Sequence, residues 1–187
     1  METMKDFLLE MPRIIKPLKN TESKVAKVWD SVKSKNFTEI KDFPLNGYHL
    51  IEHENQILLI TRDWSKCTFY VNLEQVLNLH QKSIRQVYLW RSQSDVLPAI
   101  TNIVFWEILL SRFGCIVTDT TQTQMGKDFW MRRLPEAFRM KLQVSRVNQR
   151  TGVVIQMNSM EDVYNNESLI WGSSSKHENE LVMICEK

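Results

Sequence analysis

Asp119 stands among Thr118, Thr120, Thr121, Gln122 and Thr123, directly after the apolar run of residues 115–117. A carboxylate ringed by hydroxyl and amide groups at the carboxyl end of a strand lies where α/β folds place ligands, so Asp119, Thr121, Gln122 and Thr123 form a candidate pocket. Asp and Thr ahead of a helix are ordinary N-caps, and capping is expected ahead of catalysis here; Gly126 can be a point of close helix packing. His49 and His53, with Glu52 and Glu54, share a face at i and i+4 and have metal-ligand chemistry. No further ligand cluster accompanies them, so they are expected to be solvent-facing residues at a strand edge, with no metal bound. His80 and His177 are isolated in polar surroundings.

Cys67, Cys115 and Cys185 are odd in number and widely spaced. A nucleophilic cysteine needs a histidine base and an exposed thiolate. Neither Cys115 nor Cys185 has a basic neighbour in sequence, and buried, reduced core thiols are expected for all three cysteines. No complete catalytic constellation is present.

The basic residues offer a second kind of site. Residues 127–150 hold Lys127, Arg132, Arg133, Arg139, Lys141, Arg146 and Arg150 against Asp128 and Glu136. The last six of these cations are a candidate contact surface for a phosphate backbone or for acidic protein. A solvated helix face would look the same, and no nucleic-acid motif accompanies them. Residues 12–35 show a similar basic excess. Trp64, in a turn, and Trp171, in a polar tail, can anchor a partner or fold back over a core edge, and the second is expected for Trp171.

These side chains must be held by elements that the residue spacing predicts. Val25, Val28, Trp29 and Val32 mark an amphipathic helix from Thr21 to about Lys35, capped by Thr21 or Ser23. Asn46-Gly47 predicts a turn. Tyr48 to His53, Ile57 to Arg62 and Lys66 to Val71 then predict an antiparallel meander. A short helix, Leu73 to His80, leads to a strand, Ile84 to Trp90, and a polar loop from Arg91. A buried helix runs from Pro98 to Phe113-Gly114. Residues 115–148 read as strand, helix and strand, a crossover that implies parallel strands, with Trp130 and Leu134 facing the core. Strands at 152–157 and 181–185 flank a polar loop region at 158–180. Residues 1–20 read as a short helix or an arm.

The 187 residues, 43% hydrophobic with five Gly and five Pro, suit one packed domain over 1–187. The acidic start METMKDFLLE is unlike a signal peptide, and Glu107 interrupts the longest apolar run. A soluble protein of the cytoplasm, without membrane contact, is expected.

In this order the elements resemble the GNAT fold of acyl-CoA N-acyltransferases, over most of the chain after Tyr48. The resemblance implies an α/β (α+β) fold with a mixed, mostly antiparallel central sheet and helices on both faces. The pattern T-D-x-x-Q-T-x-x-G-x-x-x-W of 118–130 is also similar to small bacteriophage proteins. In GNAT enzymes the central strand splays from its neighbour and enters a loop Q/R-x-x-G-x-G/A, whose amides hold the pyrophosphate of coenzyme A. Here that loop reads RSQSDVLPA, without glycine. Its side chains would obstruct close backbone approach, Asp95 adds negative charge, and Pro98 removes a donor. The family's tyrosine acid is replaced by Phe129 and Trp130. The expectation is therefore no cofactor, no acetyl transfer, and action through a protein partner. The alternatives are an active acetyl-CoA-dependent enzyme using Arg91, Asp95, Val96 and Leu97 at the phosphates, and a nucleic-acid binder.

Overall fold

The computed structural model describes residues 21–41, 46–79, 82–91, 100–118, 124–171 and 179–187. The fold is mixed α+β, with strand pairs that are mostly antiparallel. The chain divides into two compact units, one containing Leu18–Glu74 and Val87–Thr101, the other Gln75–Gln86 and Asn102–Lys187.

The first unit is a meander under a helix. Helix α1 (Thr21–Val32) precedes β1 (Thr38–Glu39), β2 (Tyr48–His53), β3 (Gln56–Thr61) and the start of β4 (Cys67–Leu79). Successive strands pair antiparallel, with Glu39 opposite Ile51, Ile51 opposite Leu58 and Leu58 opposite Tyr70. That register lines up one face of the sheet, and Val25, Trp29 and Val32 of α1 pack on its Ile51, Leu58, Ile60 and Tyr70. The i, i+4, i+7 spacing of the three helical residues produces this contact, and each buried side chain stabilises by roughly 1.5–3 kcal/mol.

Helix formers in 73–80 favour a helix locally, yet residues 73–79 continue β4. Strand order places β4 beside β5 (Lys82–Arg91), and ladder hydrogen bonding overrides local propensity there.

The second unit contains the ends of β4 and β5 that fall within Gln75–Gln86, and everything from Asn102. Helix α2 is continuous from Ile100–Asn102 through a π-helical Ile103–Leu110 to Ser111–Phe113, and it stops at Gly114 in the left-handed region, φ 70°. Strand β6 (Cys115–Val117) follows, then α3 (Gln124–Arg139), β7 (Gln143–Asn148), β8 (Val154–Met157), α4 (Met160–Asn165), α5 (Glu167–Trp171) and β9 (Glu180–Cys185). Strand β5 pairs parallel with β6, Arg85 opposite Ile116 and Gln86 opposite Val117. Strand β9 pairs antiparallel with both β6 and β7. It follows that β6 and β7 run in the same direction, as the crossover requires, but with the last strand inserted between them rather than side by side.

Two expectations are corrected in this unit. The loop expected at 158–180 contains α4 and α5, and Ser159 starts α4 with a capping box closed by Asp162. The sequence signal was Ser159-x-x-Asp162. Cys115 and Cys185 are buried, but they are bonded to one another rather than reduced. They sit directly opposite in the β6–β9 register, and the Glu186 amide donates to the Gly114 carbonyl beside them. This is a non-hydrogen-bonded antiparallel pair, where Cα atoms come closest, here 4.1 Å. Among the described residues no helix is long and apolar enough to cross a membrane.

Candidate functional site

The most elaborate side-chain arrangement joins the π-helical segment to α3. A π turn is wider than an α turn, so consecutive residues project at closer angles, and both Phe105 and Trp106 meet α3. The Phe105 ring lies edge-on to Trp106 at 4.6 Å, to Phe129 at 5.4 Å and to Trp130 at 5.3 Å. The Arg133 guanidinium, one turn along from Phe129, covers that ring at 4.6 Å and Phe105 at 5.7 Å. Glu136 accepts from Trp106 Nε1 at 2.9 Å and pairs with Arg139 at 3.5 Å. Burial pulls the Arg133 guanidinium below the ordinary arginine value, Glu136 opposes this, and Arg132 adds to it. Arginine stays charged all the same, and the aromatic faces stand in for lost water. Among the described residues Arg133 Nε has no hydrogen-bond partner. The arrangement holds a desolvated cation, with no nucleophile in it.

This changes the standing of the six cations. Arg133 is half-buried against rings rather than part of an open surface, because Phe129 and Trp130 lie one turn before it. Arg146 is also drawn into the fold: its side chain is 15% exposed and pairs with Glu180 of β9 at 3.6 Å, while Asn148 donates to the same carboxylate at 2.7 Å. Arg132, Arg139, Lys141 and Arg150 are exposed. Arg132 and Arg139, seven residues apart, lie on one side of α3 with Glu136 between them. Lys127 pairs with Glu167 and stands over the buried ring of Trp171, which closes the α5 segment onto α3.

The pocket candidates Asp119, Thr121, Gln122 and Thr123 lie outside the described residues, as do Asp95, Val96 and Leu97, His80 and His177. Arg91 ends β5, and its side chain is also outside them. Thr118, their neighbour, is fully buried, and its role is structural: its amide donates to the Val182 carbonyl at 2.9 Å and its Oγ1 accepts from the Val182 amide at 3.0 Å. The hydroxyl thereby continues the β6–β9 ladder one residue beyond the strand. Thr118→Val keeps the shape but strands a buried amide, and urea titration is expected to show a loss of about 1–3 kcal/mol.

The two histidines do not point to solvent. Their side chains are 24% and 10% exposed, for His49 and His53. His49 bonds Glu39 through Nδ1 at 2.6 Å and the Arg62 carbonyl through Nε2 at 3.3 Å, and its ring stacks on Trp64 at 4.2 Å. Trp64, at φ 60°, folds back so that its carbonyl accepts from Trp29 Nε1 at 3.2 Å. His53 Nδ1 donates to the Asn36 carbonyl at 2.8 Å. Both rings therefore tie the meander to the segment after α1. Strand alternation puts them on the α1 side of β2 together with Ile51, a consequence of register that spacing alone did not decide. Among the described residues no group of three or more His, Cys, Asp or Glu is placed to hold a metal.

Asp63 caps the turn that carries Trp64, accepting from Thr61 Oγ1 at 2.7 Å, from Ser65 Oγ at 2.8 Å and from the Ser65 amide at 3.1 Å. These bonds, the one from Thr61 first, lower its pKa from 3.8 to about 2. A depressed carboxylate stabilises the fold fully above its unfolded value and loses that contribution as pH falls through the folded one. The acid limb of the melting temperature between about pH 4 and pH 2 is expected to flatten in Asp63→Asn. Cys67 is the opposite case, its thiol pushed up to about 12 by burial and its Sγ donating to the Phe69 carbonyl, so it is inert.

Against protein-family models, curated proteins and solved structures, the chain gives no match.

Proposed function

We propose that this is a phage-encoded, GNAT-like protein that has lost acyl-CoA binding and acts by protein contact, on a host target or in the virion. The observation that carries the GNAT-like reading is the parallel β5–β6 pair, set among antiparallel strands and followed by the crossover through α3 to β7. The glycine-free stretch RSQSDVLPA after β5 supports the loss of coenzyme A, because a pyrophosphate needs bare backbone amides. The exposed Arg132, Arg139, Lys141 and Arg150 favour an acidic partner surface.

Calorimetric titration with acetyl-CoA tests the proposal. No heat of binding up to millimolar ligand is expected. Micromolar binding with acetyl transfer to an amine would overturn it and make the chain an acyltransferase. Capture of a host protein by the wild type, weakened by Arg132→Glu with Arg139→Glu, would support it.

A further inference from the structure

Among the described residues strand β8 ends the sheet. The Asn148 amide donates to the Val153 carbonyl at 2.9 Å, and the register sets Arg146 opposite Ile155 and Val144 opposite Met157. Hydrogen bonding alternates along an antiparallel pair, so Ile155 and Met157 turn their backbone groups toward β7. Val154 and Gln156 turn theirs outward. Among the described residues β8 has one strand neighbour, β7.

Sheet edges are ordinarily protected by lysine, proline or a bulge. Residues 153–157, Val-Val-Ile-Gln-Met, contain no charge and no proline, and Val153 and Ile155 are 54% and 43% exposed. We propose that the β8 edge pairs antiparallel with β8 of a second copy of this chain, about a two-fold axis at Ile155. Val154 then faces Gln156 of the partner copy, and each such pair exchanges both of its backbone bonds. Ile155 meets its own counterpart in the non-hydrogen-bonded position, where side chains are closest, and Val153 meets Met157.

Charge commits the site to a second copy rather than to an unrelated strand. Antiparallel pairing brings the β7–β8 turn of one copy, with exposed Arg150, beside the start of α4 in the other, with exposed Glu161. The same contact recurs on the other side of the axis, as an isologous interface requires.

Sedimentation velocity and light scattering of the full chain, from about 1 to about 100 µM, test this. A dimer is expected within that range. Ile155→Lys sets two cations against each other at the axis on a position that is already exposed, and is expected to weaken dimerisation by at least about tenfold with unchanged far-ultraviolet circular dichroism. Arg150→Glu is expected to weaken it and Arg150→Glu with Glu161→Arg to restore it, a readout that holds even if Ile155→Lys misfolds. A wild type that stays monomeric at about 100 µM overturns the proposal. So does a dimer indifferent to these substitutions.

Discussion

Removing the Cys115–Cys185 bond, in Cys115→Ala with Cys185→Ala, is expected to cost about 4 kcal/mol of unfolding free energy. The bond closes a loop with a sequence separation of 70 residues, and the entropy withheld from the unfolded chain grows with the logarithm of loop length. The cost falls on an apolar cluster where the two residues pack with Val117, Val147, Leu181 and Met183. Alanine leaves that cluster slightly underfilled, which adds to the loss. Urea titration of the oxidised wild type against the double variant measures the difference. Oxidised protein kept in reductant provides a second arm. Both sulfurs lie in residues no more than 5% exposed, so reduction should require the β6–β9 pair to open and should proceed slowly below the unfolding transition. Equal midpoints for the two proteins would refute the constraint, as would two free thiols in the unfolded, unreduced chain beyond that of Cys67.

Phe105→Ala is expected to be as damaging, by about 3–5 kcal/mol, because truncating a buried aromatic loses transfer energy and opens a cavity. Phe105 is wholly buried, and the rings of Trp106, Phe129 and Trp130 all meet it. Its loss also removes one of the two faces that cover the Arg133 guanidinium, leaving a half-buried cation with less to replace its water. Partial rescue should follow from Phe105→Ala combined with Arg133→Met, since Met refills volume and carries no charge. A Phe105→Ala variant within about 0.5 kcal/mol of the wild type in urea would show that the π-helical segment does not pack on α3 in solution.

Periodicity carried most of the element order. Val25, Trp29 and Val32, and Trp130 and Leu134, lie on buried faces as their spacing predicts, and the meander falls where the polar turns put it. Local signals failed where long-range pairing decides the outcome. Residues 73–79 have the composition of a helix and are a strand. Cys115 and Cys185 are far apart in sequence but directly opposed by a register that no local pattern encodes. The insertion of β9 between β6 and β7 has the same origin. For the candidate sites, composition identified the cations but not their surroundings. Arg133 meets Phe129 four residues before it on α3, but the second ring, Phe105, reaches it only because of how the π-helical turn is aimed, and Arg146 is paired because β9 brings Glu180 alongside it. The capping box at Ser159 and Asp162 was legible and would have replaced part of the expected loop with a helix.

The position of β9 has a consequence for how the protein is made. Strands β6 and β7 are each held through β9, which leaves the ribosome after both of them. Until residues 180–185 emerge, the Val182 partner of Thr118, the Glu180 partner of Arg146 and the Cys185 partner of Cys115 are all missing. A nascent chain halted before β9 would therefore display two unsatisfied strand edges and a reactive thiol at once, a state prone to aggregate and to form wrong disulfides. Folding of this unit therefore waits for β9 and is dominated by contacts distant in sequence, the kind of pairing that slows folding.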